Sequence, residues 1–346
     1  MSDRKLATIR RIQEVKPIEG ADLIEAVRVD NWWVVAKKGE YPVGDLAVYC
    51  EIDSWIPNSL APFLTKPGHF PKEYQGVQGE RLKTIKLKGQ LSQGLLLPLS
   101  VAFELSSTTE VDILGVDVTE GLGILKWEPP QEFMAANAKG TFPSFIPKTD
   151  QERIQNISQA QFQKWIDEGV EFERSEKIDG SSMTVFIKDG VVGVCSRNLE
   201  LKEDEGNTFW KTAHSSGAVQ ALIDNKLPVC ADLAIQGELI GPGIQGNAYG
   251  LTDFEFLVYD IFSISSNRYV EPQDVRHIVK MFGLKTVPII EESVKIESSV
   301  EQLLKDANGV SKLNPKVKRE GDVYKAKNGV ESFKVISNEW LCKTGN

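Results

Sequence analysis

The patterning of apolar residues changes character once along the chain, across residues 127–150, and that change limits the folds open to it. Before it, short apolar runs are separated by Gly- or Pro-containing turns. After it, such runs alternate with segments of helical length. The intervening stretch, WEPPQEFMAANAKGTFPSFIPKTD, mixes Pro, Gly and small residues without periodicity and reads as a linker. The expected organisation is residues 1–126, a linker at 127–150, and residues 151–346. A length of 346 residues suits two domains.

In the first segment, Val27–Val29 and Trp32–Ala36 flank an Asp30-Asn31 turn, a hairpin signal. Leu46–Cys50 follows the Gly44-Asp45 turn, and residues 81–89 and 94–98 read as further short strands. Many short strands with little helix point to a small barrel, of which the OB-fold is one candidate. The second segment reads as a helix over 159–168 capped by Ser158 and stopped by Gly169. Strands are expected over 172–178, 182–188, 191–196, 233–239, 254–262, 322–327 and 331–336. Helices are expected near 208–226, 272–282 and 298–308. This interleaving is that of an α+β domain built on antiparallel sheets.

No run approaches the roughly 20 apolar residues of a transmembrane helix. The polar start MSDRKLATIRRIQEV has no apolar signal-peptide core, so cytoplasm or nucleus is expected. Cys50, Cys195, Cys230 and Cys342 stand singly, without metal-site spacing, and read as free thiols of a reducing compartment. His69, His214 and His277 are likewise isolated and are assigned no role. A net charge of −9 argues against a protein that coats nucleic acid by bulk charge, while leaving room for a local basic groove.

The tetrapeptide Lys177-Ile178-Asp179-Gly180 alone reads as a strand ending in an Asp-Gly turn. The ordered series C-terminal to it carries more weight: Ser196-Arg197-Asn198, then Gly237-Glu238-Leu239-Ile240-Gly241, Val258-Tyr259-Asp260, Glu320-Gly321-Asp322-Val323-Tyr324-Lys325 and Phe333-Lys334-Val335-Ile336. With the tetrapeptide, this series resembles the six collinear motifs of the covalent nucleotidyltransferases: ATP-dependent DNA ligases, RNA ligases and mRNA capping enzymes. One departure is that motif V often carries two lysines as KxK, whereas only Lys334 is present here. Which of the two lysine roles it fills stays open. IPKTDQERIQN (146–156), GELIGPGIQGN (237–247) and SFKVISNEWL (332–341) are similar to RNA ligases of the Deinococcus and Naegleria type.

That resemblance implies an α+β fold, with an OB-like nucleic-acid-binding β-barrel followed by an adenylyltransferase (ATP-grasp-like ligase) domain of antiparallel sheets and helices. It implies an ATP-dependent RNA ligase that seals 3′-OH and 5′-phosphate ends, carries AMP covalently on Lys177, and acts in RNA repair. A DNA ligase or capping guanylyltransferase is the alternative within this chemistry. The tail beyond Lys334 is too short for the C-terminal OB module those enzymes usually carry. An inactive nucleic-acid-binding module is the alternative of another class. The expected partners are ATP and RNA or an RNA-containing nicked duplex, with no membrane and no obligatory protein partner.

An amine attacks phosphorus only when unprotonated, so the site must depress the lysine pKa from about 10.4. A metal and Lys334 are the cations expected to do so, Lys334 also neutralising the α-phosphate. Asp179, Glu238 and Glu320 are the expected shell for Mg²⁺ or Mn²⁺, which favours oxygen ligands and retains waters. Nucleotide contacts are expected from Glu176, Ile178, Gly180, Arg197, Asn198, Lys325 and Arg153. Gly180 lets the backbone approach, Glu176 reads the adenine edge, and Arg197 grips a sugar hydroxyl or phosphate. Tyr259 or Phe256 stacks on adenine, with core packing an equal alternative for Phe256. For RNA, two basic clusters stand out: Arg81, Lys83, Lys86 and Lys88; and Lys312, Lys316, Lys318, Arg319, Lys325, Lys327 and Lys334. The first reads equally as a solvated edge strand. Trp32, Trp33 and Trp55 read as base platforms or, more simply, as barrel core.

Overall fold

The computed structural model describes residues 4–102, 113–128, 137–224, 232–297 and 299–344. The chain forms two compact units, Met1–Pro130 with Leu341–Asn346, and Gln131–Trp340. Cys230, residues 129–136 of the expected linker, and residues 225–226 and 298 of two expected helices lie outside the described residues.

The first unit is built of short strands: β1 (Ala7–Arg11), β2 (Glu14–Pro17), β3 (Ile24–Val29), β4 (Trp32–Lys37), β5 (Leu46–Cys50), β6 (Ser54–Pro57), β7 (Lys72–Tyr74), β8 (Val77–Arg81), β9 (Ile85–Leu87), β10 (Gln90–Ser92), β11 (Leu95–Pro98) and β12 (Leu125–Lys126). They pair as β1-β5-β11, β2-β3-β4, β12-β6-β8-β7 and the ribbon β9-β10. The β3–β4 hairpin turns at Asp30, whose positive φ of 49° suits a tight turn. Trp32 and Trp55 are buried, and the Trp55 indole donates to the Val77 carbonyl, so both are core. Trp33 is half-buried with the Lys16 ammonium 3.7 Å above its ring. The stretch expected as one strand over 81–89 is broken at residues 82–84, dividing β8 from the ribbon.

The second unit contains β13 (Ala138–Thr141), β14 (Glu152–Arg153), α1 (Gln159–Asp167), β15 (Glu171–Lys177), β16 (Ser181–Lys188), β17 (Val191–Cys195), β18 (Leu199–Leu201), α2 (Thr208–Ser215), α3 (Ala218–Ile223), β19 (Leu233–Ile240), β20 (Glu255–Ser263), β21 (Arg268–Tyr269), α4 (Pro272–Met281), β22 (Lys285–Thr286), β23 (Ile289–Lys295), α5 (Val300–Asp306), β24 (Gly321–Ala326) and β25 (Ser332–Ile336). Local chemistry sets the ends. The Ser158 side chain accepts the Gln161 N–H at the start of α1, and Gly169 at φ +60° stops it. The single helix expected near 208–226 is divided by Gly217 at φ +86°, a conformation that favours glycine. Residues 137–150, part of the expected linker, belong to this unit: β13 pairs with β18, and Ile146 is buried against Phe186, Cys195, Ala234 and Phe262.

Two sheets organise this unit. One runs β13-β18-β17-β16-β19-β20-β21 with β22 beside β20; the other runs β14-β25-β24-β15-β23. Alternation along β19 sends Leu233, Ile235 and Leu239 into a core with α2, α3 and α4, while Ile240 joins the opposite face. The second sheet packs on α1 and α5 through an aromatic core. There Phe333 stacks on Tyr324 at 4.8 Å and on Trp165 at 5.3 Å, each pair contributing roughly 0.5–1.5 kcal/mol beyond its buried area. Among the described residues no helix is long and apolar enough to cross a membrane.

Candidate active site

Only Ile178, Asp179 and Gly180 separate the end of β15 from the start of β16, so the chain passes from one sheet to the other directly after Lys177. The register does the rest. Lys177 lies opposite Gly321, which sets Glu320 beside it, and Ser182 lies opposite Glu238. The Lys177 Nζ donates to Glu320 Oε1 at 2.7 Å. Glu320 Oε2 is buried and has no hydrogen-bond partner among the described residues.

The lysine is held protonated. Burial opposes its charge, but Glu320, Glu238 and Asp179 together outweigh burial and raise its pKa. The depression expected from the sequence is therefore absent from the protein's own groups, because three acids face the ammonium. Burial opposes the charge of the acids as well, pushing Asp179 up to about 7 and Glu238 to about 8, with Glu320 adding repulsion to both. Among the described residues no group of three or more His, Cys, Asp or Glu side chains converges closely enough to hold a metal ion directly. The three acids share the field around Lys177 without forming an inner ligand set. The unpartnered Glu320 oxygen and the two strongly raised carboxyls fit a cation that keeps its own waters.

Lys334 comes from β25, opposite Val323 of β24 and beside Arg153 of β14. Burial lowers its pKa to about 8; Asp150 works against this, and Arg153 and Lys177 add to it. Its Nζ donates to Asp150 Oδ1 at 2.8 Å, and the other oxygen of that carboxylate faces Arg197 at 3.4 Å. Asn198 receives the Lys148 ammonium at 2.8 Å. The Tyr259 hydroxyl bonds Thr149 Oγ1 at 2.8 Å and lies 3.5 Å from Ser182 Oγ. Lys177, Asp179, Glu238 and Glu320 thus share one electrostatic neighbourhood, which Lys334 and Arg197 also enter.

Other expected nucleotide contacts are placed differently. Phe256 is buried in the helix-facing core, on the opposite side of β20 from Tyr259, so strand alternation removes it as an adenine platform. Lys325 is buried rather than a solvated strand residue. Its Nζ lies 2.7 Å from Asp260 and donates to the Tyr259 carbonyl at 2.6 Å, which ties β24 to β20. Ile178 is buried with Ile240, Tyr249, Leu257 and Val287. Glu176 is fully buried; its Oε2 accepts the Lys312 N–H at 2.7 Å, which braces that loop, while its Oε1 is buried without a hydrogen-bond partner among the described residues. The second basic cluster is largely neutralised: Lys318, Arg319, Lys325, Lys327 and Lys334 each meet a carboxylate. In the first cluster Arg81 pairs with Asp53 and stacks on Trp127, while Lys83, Lys86 and Lys88 are exposed.

Residues that the motifs do not mark complete the site. The Tyr249 hydroxyl accepts the Asp179 N–H at 2.8 Å, and Gln245 donates to the Gly180 carbonyl at 3.3 Å. The loop after β19 therefore clamps the turn that carries Lys177. Its glycine-rich run, GPGIQGNAYG, was the available signal. Asp150 ends the stretch expected as a linker, and nothing in its spacing marks it.

A family model described as RNA ligase matches residues 170–336, and one described as an OB-fold domain matches residues 6–99. No curated protein matches the chain significantly. Among solved structures, a Naegleria gruberi RNA ligase mutant with AMP and Mn is 44% identical, with a TM-score of 0.88 and 98% of each chain covered. Another mutant of that ligase, with ATP and Mn, is 44% identical at a TM-score of 0.88, covering 97% of this chain and 98% of that one. The same ligase with PPi is 44% identical at a TM-score of 0.86, again with 98% of each chain covered. An OB-fold domain ahead of a mixed α+β ligase domain, with full-length similarity at this identity, places the chain in the RNA ligase family.

Proposed function

We propose that this chain is an ATP-dependent RNA ligase that seals a 3′-OH to a 5′-phosphate by way of AMP bonded to Lys177. The observation that carries the reading is the Lys177–Glu320 contact of 2.7 Å at the crossing between the two sheets, ringed by Asp179 and Glu238. The Naegleria structures contain ATP, AMP, Mn and PPi, which are a substrate, transferred group, metal and leaving group of such a reaction.

In this account Lys177 first gives up its proton to solvent water, and its amine then attacks the α-phosphorus of ATP; the N–P bond forms as the bond to pyrophosphate breaks. AMP then passes to the RNA 5′-phosphate, and the 3′-OH attacks that activated end and releases AMP. Asp179, Glu238 and Glu320 would hold Mg²⁺ or Mn²⁺ through its waters. The ion's charge would offset the acids that keep Lys177 protonated and the negative charge of the phosphates. Lys334 and Arg197 bind phosphate or ribose oxygens, joined by Arg153 from the adjoining strand. Tyr259 is the remaining adenine platform. Gly180 sits against the Leu239 backbone and Glu238, where a Cβ would lie 2.6 Å from the Leu239 carbonyl oxygen. The OB-fold unit serves as the nucleic-acid-binding module, with exposed Lys83, Lys86 and Lys88 as phosphate contacts.

Sealing of a nicked duplex bearing a 5′-phosphate tests the reading. Joining and an adenylylated-RNA intermediate are expected when the 3′-OH strand is RNA. Efficient sealing only with a DNA 3′-OH strand would refute it.

A further inference from the structure

Asp150 is held unusually firmly for a residue in a stretch without regular structure. Four consecutive residues before it are anchored. Ile146 is in a core, the Pro147 carbonyl accepts from Gln236 at 2.9 Å, Lys148 reaches Asn198 at 2.8 Å, and Thr149 meets Tyr259 at 2.8 Å. The result is a carboxylate set between two cations from separate sheets, 2.8 Å from Lys334 Nζ and 3.4 Å from Arg197. Lys334 is only 14% exposed at its side chain, while Asp150 is 37% exposed. A carboxylate that divides two oxygens between two cations makes the contacts a phosphate would make.

We propose that Asp150 is a positioning residue: in the nucleotide-free site it holds Lys334 and Arg197 in place by standing where a phosphate of the nucleotide binds, and it gives them up when that phosphate arrives. The inference rests on the ligase reading above and adds to it a residue with a role before chemistry. The groups facing Lys334 explain the need. Arg153 lies across the parallel strand pair on one side; on the other, Val323 opposite is apolar and Lys177 comes from the strand beyond it; and Arg197 stands on the far side of Asp150. Burial and the two neighbouring cations all act to strip the Lys334 proton, and Asp150 retains it. A neutral Lys334 could not offset charge on the α-phosphate.

The test is single-turnover transfer of label from α-labelled ATP to the full chain, from pH 6 to 10, at low and at saturating ATP. At low ATP the alkaline limb reports the free enzyme, and at saturation the complex. Asp150→Asn should move the low-ATP limb down by about one pH unit, the usual effect of losing one close opposite charge. The saturating-ATP limb should stay put, because phosphate then holds the ammonium. Near pH 6.5, where Lys334 keeps its proton regardless, the variant should bind ATP at least as tightly as wild type, and above pH 8.5 more weakly. Asp150→Glu should restore the wild-type limb, and Asp150→Ser replaces the asparagine variant if that one misfolds. An unmoved low-ATP limb, or an equal loss of rate at every pH, would overturn the proposal. A wild-type chain that takes no label would overturn this proposal together with the ligase reading. Label on wild type with an unmoved limb in the variant overturns this proposal alone.

Discussion

Replacing Lys325 by methionine separates two roles for a lysine inside a nucleotidyltransferase-like motif. Its ammonium lies 2.7 Å from Asp260, and both side chains are only 11% exposed. Removing one partner of such a pair leaves a buried charge uncompensated, which costs about 3 kcal/mol. For a unit of this size that corresponds to a shift of roughly 1 M in the urea midpoint, or about 10 °C in Tm. Burial raises the Asp260 pKa, with Lys325 opposing it. Without Lys325 the carboxyl takes up a proton in the folded state, so the penalty should be smaller at pH 5 and grow toward pH 8. The double variant Lys325→Met with Asp260→Leu should recover most of the loss, because two apolar groups replace the pair. Urea unfolding followed by tryptophan fluorescence, alongside AMP labelling at a temperature where each variant is folded, reads both quantities. If Lys325→Met is as stable as wild type to within about 0.5 kcal/mol yet takes no AMP, Lys325 binds phosphate and the reasoning fails.

Tyr249→Phe removes the acceptor of the Asp179 N–H. It should cost about 1–2 kcal/mol of stability and slow AMP transfer about tenfold by loosening the Lys177 turn; an unchanged single-turnover rate would count against the clamp. Gly180→Ala forces a Cβ to within 2.7 Å of the Glu238 side chain, so a loss of about 2 kcal/mol and of AMP uptake is expected in thermal melts and labelling. Glu238→Gln should act oppositely on stability and activity. The folded-state pKa is raised to about 8, so the contribution of this carboxyl to stability is full below its unfolded value and is lost as pH rises through 8. The variant should therefore gain on the order of 1 kcal/mol over wild type between pH 5 and pH 8 while losing AMP transfer. A pH-independent difference in Tm would contradict the sign.

Most long strands of the second unit and its helices α1, α4 and α5 are legible in sequence because their apolar periods are clean and their ends are marked, whereas β23 and the short strands β13, β14, β18, β21 and β22 are not marked in this way. Ser158 and Gly169 bound α1 as their residue types imply, and β19 alternates between its two faces. The motif residues Lys177, Glu238 and Glu320 can be ordered along the chain, but their meeting depends on strand register, which one sequence does not specify. Phe256 and Tyr259 look equivalent on paper, and only the sheet's sidedness separates them. Lys325 reads as a phosphate contact or a solvated residue in sequence, and its ion pair goes unseen because Asp260 lies on another strand of another sheet. Asp150 and Tyr249 go unmarked for the same reason: each acts on residues from distant segments. Clusters of lysines in sequence also overstate the basic surface around Glu320, since carboxylates from elsewhere neutralise most of them.

The most direct measurement is the site of nucleotide attachment. The chain is incubated with α-labelled ATP and Mn²⁺, denatured, digested and mapped. A single phosphoramidate-linked AMP on the peptide bearing Lys177, abolished in Lys177→Ala, is the expected result. An unlabelled wild-type chain, or AMP bound elsewhere and retained in Lys177→Ala, would contradict the account.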